Sequence, residues 1–397
     1  YPPSLAGERY PQGIPIVDEK DLEQLCRGQA IDQVVFAYSD VDHAWVMHRA
    51  SIALAAGADF TLLGPRRTML KAAMPVIATS AVRTGCGKSQ TTRWLSRLIN
   101  KHGLKAAVIR HPMPYGDLAH QAVQRFASRQ DLNAAQCTIE EREEYEPHIT
   151  TGTMVYAGVD YAQIVTQAEQ EADVILWDGG NNDFPFLAPD LHIVLVDALR
   201  PGNEDSHHPG EAVLRMADVV VVAKANSASD SDVQRVIGAA RAINPLAPVV
   251  RAASAVTAGD PALIRGRRVL VVEDGPSVTH GGMPYGAGYV AAVAAQAAEI
   301  VNPRSAAVGE IADVYTRYPH IGSVLPAVGY HPSQLEALQA TINAVDADVV
   351  VVATPCDLGA LIAIDKPVVR VRYEFAELGE QGLGTIVEDF LARASEA

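Results

Sequence analysis

Two glycines, a lysine and a hydroxyl, placed where an apolar strand gives way to a helix, are the residues a phosphate group needs. Residues 75–92 read PVIATSAVRTGCGKSQTT. Gly85 and Gly87 let the backbone wrap close to an anion, so that successive N–H groups and the helix N-terminus face it. Lys88 then reaches the β- and γ-phosphates and the Ser89 hydroxyl ligates Mg²⁺, with Cys86 and Gln90 completing the nucleotide-lining stretch. The full GxxxxGK[ST] pattern asks for glycine five residues before Gly87, where Val82 stands.

Nucleotide chemistry next requires a carboxylate at the end of a buried strand. ILWDGG at 175–180 supplies Asp178 as a second Mg²⁺ ligand, followed by Gly179-Gly180, whose backbone can meet a γ-phosphate as the DxxG segment of GTPases does. Asn181, Asn182 and Asp183 continue it as substrate or switch contacts. A guanine-specific site would then carry [NT]KxD, but the chain reads AKAN at 223–226. Lys224 is in place to stack on a base, while the amide of Asn226 cannot accept the guanine pair as a carboxylate does, leaving ATP and GTP both open.

RHPMPYGDL at 110–118 offers Arg110 and His111 to an anionic substrate and Asp117 to Mg²⁺ or a nucleophile. Its MPYG recurs at 283–286, inside VVEDGPSVTHGGMPYGAGY, where Thr279, His280, Gly281 and Gly282 precede a helix and backbone amides are available to a second phosphate or carboxylate. The run EEREEYEPH at 140–148 reads as a solvated helical face, and His207-His208 as a surface loop.

These groups need a scaffold, and the pattern names it. AAVIR (106–110), VILWD (174–178), HIVLVD (192–197) and DVVVVAK (218–224) are near-continuous apolar runs separated by helix-length segments, the signature of parallel strands covered on both faces. VVFAYSD (34–40), a helix and FTLLGP (60–65) make an earlier βαβ unit; RVLVVED (268–274), DVVVVAT (348–354) and PVVRVRY (367–373) make a later, looser one. The fold class expected is α/β: a P-loop NTPase domain with a parallel sheet (74–303), preceded by a partial Rossmann-like domain (1–73) and followed by a smaller α/β region (304–397).

Of the 397 residues 48% are hydrophobic and 20% charged, as in a compact globular protein. A net charge of -15 repels a phosphate backbone, so no nucleic-acid partner is expected. The four cysteines are scattered, no apolar run reaches membrane-spanning length, and a reducing cytoplasm is the expected location.

Arg83, four residues before Gly87, stands where the deviant Walker loops of SIMIBI-class NTPases carry a lysine, which would let it touch phosphates within its own subunit or across a homo-oligomer. Taken together, RTGCGKS, RHPMPYGD, EEREEYEPH, WDGGNNDFPF and VEDGPSVTHGGMPYGAGYVAA resemble a family of bacterial and archaeal GTPases labelled as related to cyclic 2,3-diphosphoglycerate synthetase. The resemblance spans essentially the whole chain. It implies a nucleotide loop and a separate polyanion site, hence an Mg²⁺-dependent NTPase coupling phosphoryl transfer to activation of a small anionic substrate, with Lys88, Asp178, Arg83 and Asp117 as the catalytic set. It also implies a strand and glycine turn ahead of Tyr1, so the first unit is expected to be truncated or disordered. A nucleotide-timed switch or metallochaperone acting on a protein partner is the alternative, and a binding module without turnover a third reading.

Overall fold

The computed structural model describes residues 1–111, 118–180, 182–329, 331–379 and 382–394. A small unit comes first: β1 (Gln33–Phe36) and β2 (Asp59–Leu62) pair in parallel, joined by α1 (His43–Ala55), whose N-terminus is capped by the Asp42 side chain. The expected surface loop at His207-His208 instead forms a two-residue strand against Val41–Asp42 and moors this unit to the rest.

The main sheet is built from β3 (Val76–Ala81), β4 (Ala106–Arg110), β5 (Gln124–Phe126), β6 (Met154–Ala157), β7 (Val174–Asp178), β8 (Leu191–Asp197), β9 (Val219–Ala223), β10 (Val249–Ala258), β11 (Arg268–Asp274), β12 (Glu299–Ile300), β13 (Leu325–Ala327), β14 (Val349–Val352) and β15 (Val368–Leu378). Their order is β12-β11-β14-β15-β10-β9-β8-β3-β7-β4-β6-β5, with β13 also on β11. Central strands β3, β4, β7, β8 and β9 are buried along their whole length, which is why their sequences run apolar without alternation. The helices that bear on the site are α2 (Lys88–Lys101), α3 (Ile139–Thr150), α4 (Ala287–Ala294) and α5 (Leu383–Ala394).

Every pairing in the sheet is parallel except β5–β6 and β10–β15. The second exception determines the architecture. β10 pairs with β9 only through Val249–Arg251 and then runs on against β15 through Ala258; β15 pairs with β14 only through Val368–Arg370 before turning to β10. The first half of the sheet and the second therefore run in opposite senses, and each leaves through its carboxyl edge along a two-stranded ribbon. The carboxyl edges of the two halves face one another. Their cores are correspondingly separate: one joins β3, β4 and β7–β10 to α5, a second lies on the other face of β3, β4 and β7, and Ile139 with residues from Ile264 through Val371 forms the third, so 264–303 packs with the distal half.

Candidate functional site

Gly85 (φ +81°) and Gly87 (φ +109°) both lie in the left-handed region that other residues reach only with strain, and no described acceptor takes the N–H groups of residues 85–88. The loop is braced from several sides. Asp40, from the small N-terminal unit, accepts Arg83 Nε (2.7 Å) and the Thr84 N–H (3.2 Å); Arg83 also donates to Asn203 Oδ1 (2.8 Å). Arg83 is thus committed to its own scaffold. Asn182 Nδ2 donates to the Val82 carbonyl (2.7 Å), holding the residue that stands at the motif's missing glycine.

Arg200, a residue the sequence reading passed over, ties the two halves together. It donates to Asp197 Oδ2 (2.9 Å), the Thr84 carbonyl (2.8 Å) and the Gly281 carbonyl (3.0 Å). Lys224 Nζ reaches the same Asp197 oxygen (2.8 Å). Burial alone would raise the Asp197 carboxyl, but these two cations hold it below the ordinary aspartate range.

At the end of β7, Asp178 is fully buried, paired with Arg110 and 3.2 Å from His148 Nε2. Among the described residues its Oδ1 has no hydrogen bond. Burial would push this carboxyl up, yet Arg110, His148 and Lys88 outweigh it and hold it at about 2. His148, fully buried in turn, is lowered by loss of solvation against the pull of Asp178. Arg110 also pairs with Glu144, whose Oε2 lies 3.4 Å from Ser89 Oγ.

The expectation that 140–148 is a solvated face fails here. α3 lies between the two halves with Glu140, Glu141, Glu143, Glu146 and His148 all buried. Its charges are matched by other elements: Glu146 meets Arg129 (2.7 Å), Glu141 closes a capping box with Thr138, and Arg142 donates to Asn133 Oδ1 (2.7 Å). Glu143 has no such match. Among the described residues neither of its oxygens has a hydrogen bond of ordinary geometry, and burial with Asp274 alongside pushes the carboxyl well above its usual range, against the pull of the neighbouring Thr354.

The distal half contributes two more acids at the end of β11. Glu273 accepts the N–H groups of Gly286 (3.0 Å), Gly288 (3.0 Å) and Tyr289 (2.7 Å); burial nevertheless raises it to about 7. Those amides, expected to be free for a second anion, are taken by the protein's own carboxylate. Asp274, raised by burial, accepts from Ser277 Oγ (2.5 Å).

The phosphate loop, Arg110 and the acids at the end of β11 line one cleft with an interior of about 190 Å³. Of the residues singled out from sequence, Gly85, Gly87, Lys88, Ser89, Gln90, Arg110 and Lys224 line it. Cys86 and Asp178 are buried outside its lining, the latter paired with Arg110. Asn226 is tied to the Ser254 backbone (3.0 Å), His111 to Asp183 (3.5 Å), Thr279 Oγ1 to the Gly275 carbonyl (2.7 Å) and His280 to Tyr318 (3.2 Å); Gly282 bonds back to Thr279. Asp117 and Asn181 lie outside the described residues. The cleft adds Arg93, Glu143, Glu144, Asp274 and Tyr373. Arg93 follows Ser89 by one helical turn, a spacing visible in the sequence; the acids were visible only as a charge run.

No family model matches the chain. Among curated proteins it is 56% identical over 390 residues to the arginine synthetase ArcE of Thermococcus kodakarensis, covering 98% of this chain and 87% of that one. Similarity to the cyclic 2,3-diphosphoglycerate synthetase of Pyrococcus furiosus is 29% over 98 residues, 23% of each chain. Among solved structures, LpxK from Aquifex aeolicus in complex with ATP superposes with a TM-score of 0.50 at 12% identity, covering 88% of this chain and 95% of that one, a likeness of fold. Among the described residues no helix is long and apolar enough to cross a membrane.

Proposed function

Because the chain belongs to the family of the arginine synthetase ArcE, we propose that it makes arginine by nucleotide-driven activation of a ureido oxygen, with the phosphate loop and the acidic wall as the two ends of one reaction. Phosphoryl transfer can serve arginine synthesis only if it turns an oxygen on the amino-acid skeleton into a leaving group that nitrogen displaces. Citrulline, the ureido counterpart of arginine, carries that oxygen. Its ureido oxygen attacks the γ-phosphorus, the nucleoside diphosphate leaves, ammonia adds to the activated carbon, and phosphate departs to leave the guanidinium.

The observation that carries this reading is that the buried Glu143 and Asp274 line the same cleft as Lys88. A second polyanion such as 2,3-diphosphoglycerate, the substrate class expected from sequence, would meet buried carboxyls there, whereas a ureido or guanidinium group finds acceptors for its N–H donors. A switch acting on a protein partner would have no use for such a wall.

The N–H groups of residues 85–88 and the Lys88 ammonium hold the triphosphate and take up charge as the γ-phosphoryl moves, interactions worth roughly 10²–10³ each in rate. Ser89 Oγ and the unpartnered, buried Asp178 Oδ1 are hard oxygen donors that fit Mg²⁺. When bound, Mg²⁺ supplies neutralisation of the β- and γ-oxygens. With no carboxylate at Asn226 to select guanine, ATP is the donor we assign. Incubation with ATP, Mg²⁺, citrulline and ammonium is expected to give arginine, ADP and phosphate in equal amounts. Failure to form arginine, or ATP use that responds to 2,3-diphosphoglycerate and not to citrulline, would overturn the reading.

A further inference from the structure

We propose that Glu143 and Asp274 form a proton-sharing carboxyl pair that admits ammonium to the cleft and takes its surplus proton as the new C–N bond forms, an assignment that rests on the arginine-forming reaction proposed above. The two side chains come from different halves of the molecule, Glu143 from α3 and Asp274 from the carboxyl end of β11, and both line the cleft that also holds Lys88. Glu143 is 4% exposed and, among the described residues, no donor of ordinary geometry meets its oxygens, its polar neighbours being Thr354 and Asp274, so a buried acceptor is presented to the cleft. Unmet acceptors at this depth are costly and call for a ligand with N–H donors.

The surroundings favour one shared proton. Glu140, Glu144, Cys356 and Tyr373 face the pair, and Arg93 stands beside Tyr373 without a described hydrogen bond or ion pair of its own. Two carboxyls that feel one another's charge in a buried wall do not both ionise easily, and burial raises each of them. The pair therefore carries about one negative charge, enough to attract an ammonium ion, and the ionised member accepts a proton from it. Ammonia then attacks the activated carbon with its lone pair, the C–O bond breaks, phosphate leaves with that bonding pair, and the proton on the carboxyl pair escapes to water.

Glu143→Gln keeps the shape and removes the shared charge. Ammonium-dependent arginine formation is expected to fall by about 100-fold or more, with a raised KM for ammonium. Hydroxylamine, uncharged at neutral pH, needs no deprotonation, so its turnover to hydroxyarginine should fall far less than turnover with ammonium, while citrulline-dependent scrambling of oxygen-18 between the β,γ-bridge and the β-nonbridging positions of ATP reads ureido binding and activation separately. Asp274→Asn, which keeps an acceptor for Ser277, is expected to behave alike. Equal loss with ammonium and hydroxylamine, or an unchanged KM for ammonium, would overturn the pair as proton acceptor. Absence of citrulline-dependent scrambling in the unaltered protein would instead sink the ureido-activation reading itself.

Discussion

Two glycine-rich turns follow two buried strands in this molecule, one in each half, and they end with opposite electrical character. After β3, Gly85 and Gly87 expose a run of N–H groups that no described acceptor takes, and Lys88 adds a cation. After β11, the amides of Gly286, Gly288 and Tyr289 are just as well gathered, but Glu273 on the preceding strand already fills them. A nest of backbone amides attracts an anion; whether that anion is a ligand depends on whether the strand beneath carries its own carboxylate. The first turn is open to an anion, and the second, filled from within, leaves its half free to present acids.

The comparison breaks most visibly at the phosphate end. Lys88→Ala should lower arginine formation by about 1,000-fold, with melting temperature nearly unchanged, since among the described residues the carboxylates nearest the loop pair with other cations, Asp178 with Arg110 and Asp197 with Lys224. At the distal turn the effect should appear in stability. The folded-state carboxyl of Glu273 is raised to about 7, so its ionisation opposes folding: stability is full below about pH 4.5 and is lost as pH rises through 7, on the order of 3 kcal/mol in all. Melting curves of Glu273→Gln and the parent protein between pH 5 and 8 should show that this fall is flattened in the variant.

The phosphate half should show the opposite slope. Asp178 is held at about 2, below its unfolded value, so its contribution is complete above about pH 4 and disappears as pH falls toward 2, on the order of 2 kcal/mol. Asp178→Asn should remove that acid-side loss in denaturant titrations, and retention of the loss would place it elsewhere. The smallest change is expected where the halves merely touch: Arg97→Ala, which breaks a half-exposed pair with Glu374 on β15 (3.3 Å), should cost less than about 1 kcal/mol by urea unfolding.

The strands, the phosphate loop and the parallel sheet were legible because each is specified by neighbours in sequence: apolar runs that must be buried on both faces, and glycines at fixed offsets from a lysine. The acidic run at 140–148 was misread because its environment is supplied from a distance. Arg129 and Arg110 neutralise it from outside its own helix, and nothing within the run distinguishes a buried, matched charge from a solvated one. The 279–288 loop was misread for a related reason, since Glu273 could be seen in the sequence but not its position under the amides. Arg200 carried no motif at all; its importance lies in reaching Thr84 and Gly281 at once.

The β10–β15 ribbon sets the gauge of the reaction chamber. Each half has its own core, and the length of the two paired strands, with Arg200 bridging Thr84 to Gly281, sets how far the phosphate loop stands from Asp274. At about 3.3 Å per residue, adding a dipeptide to both strands in register would part the two walls by nearly 7 Å while keeping every side chain on its face. A scaffold of this kind can be refitted to a longer or shorter acceptor without touching its phosphate chemistry. The span between donor and acceptor is a dimension in its own right, written in strand length.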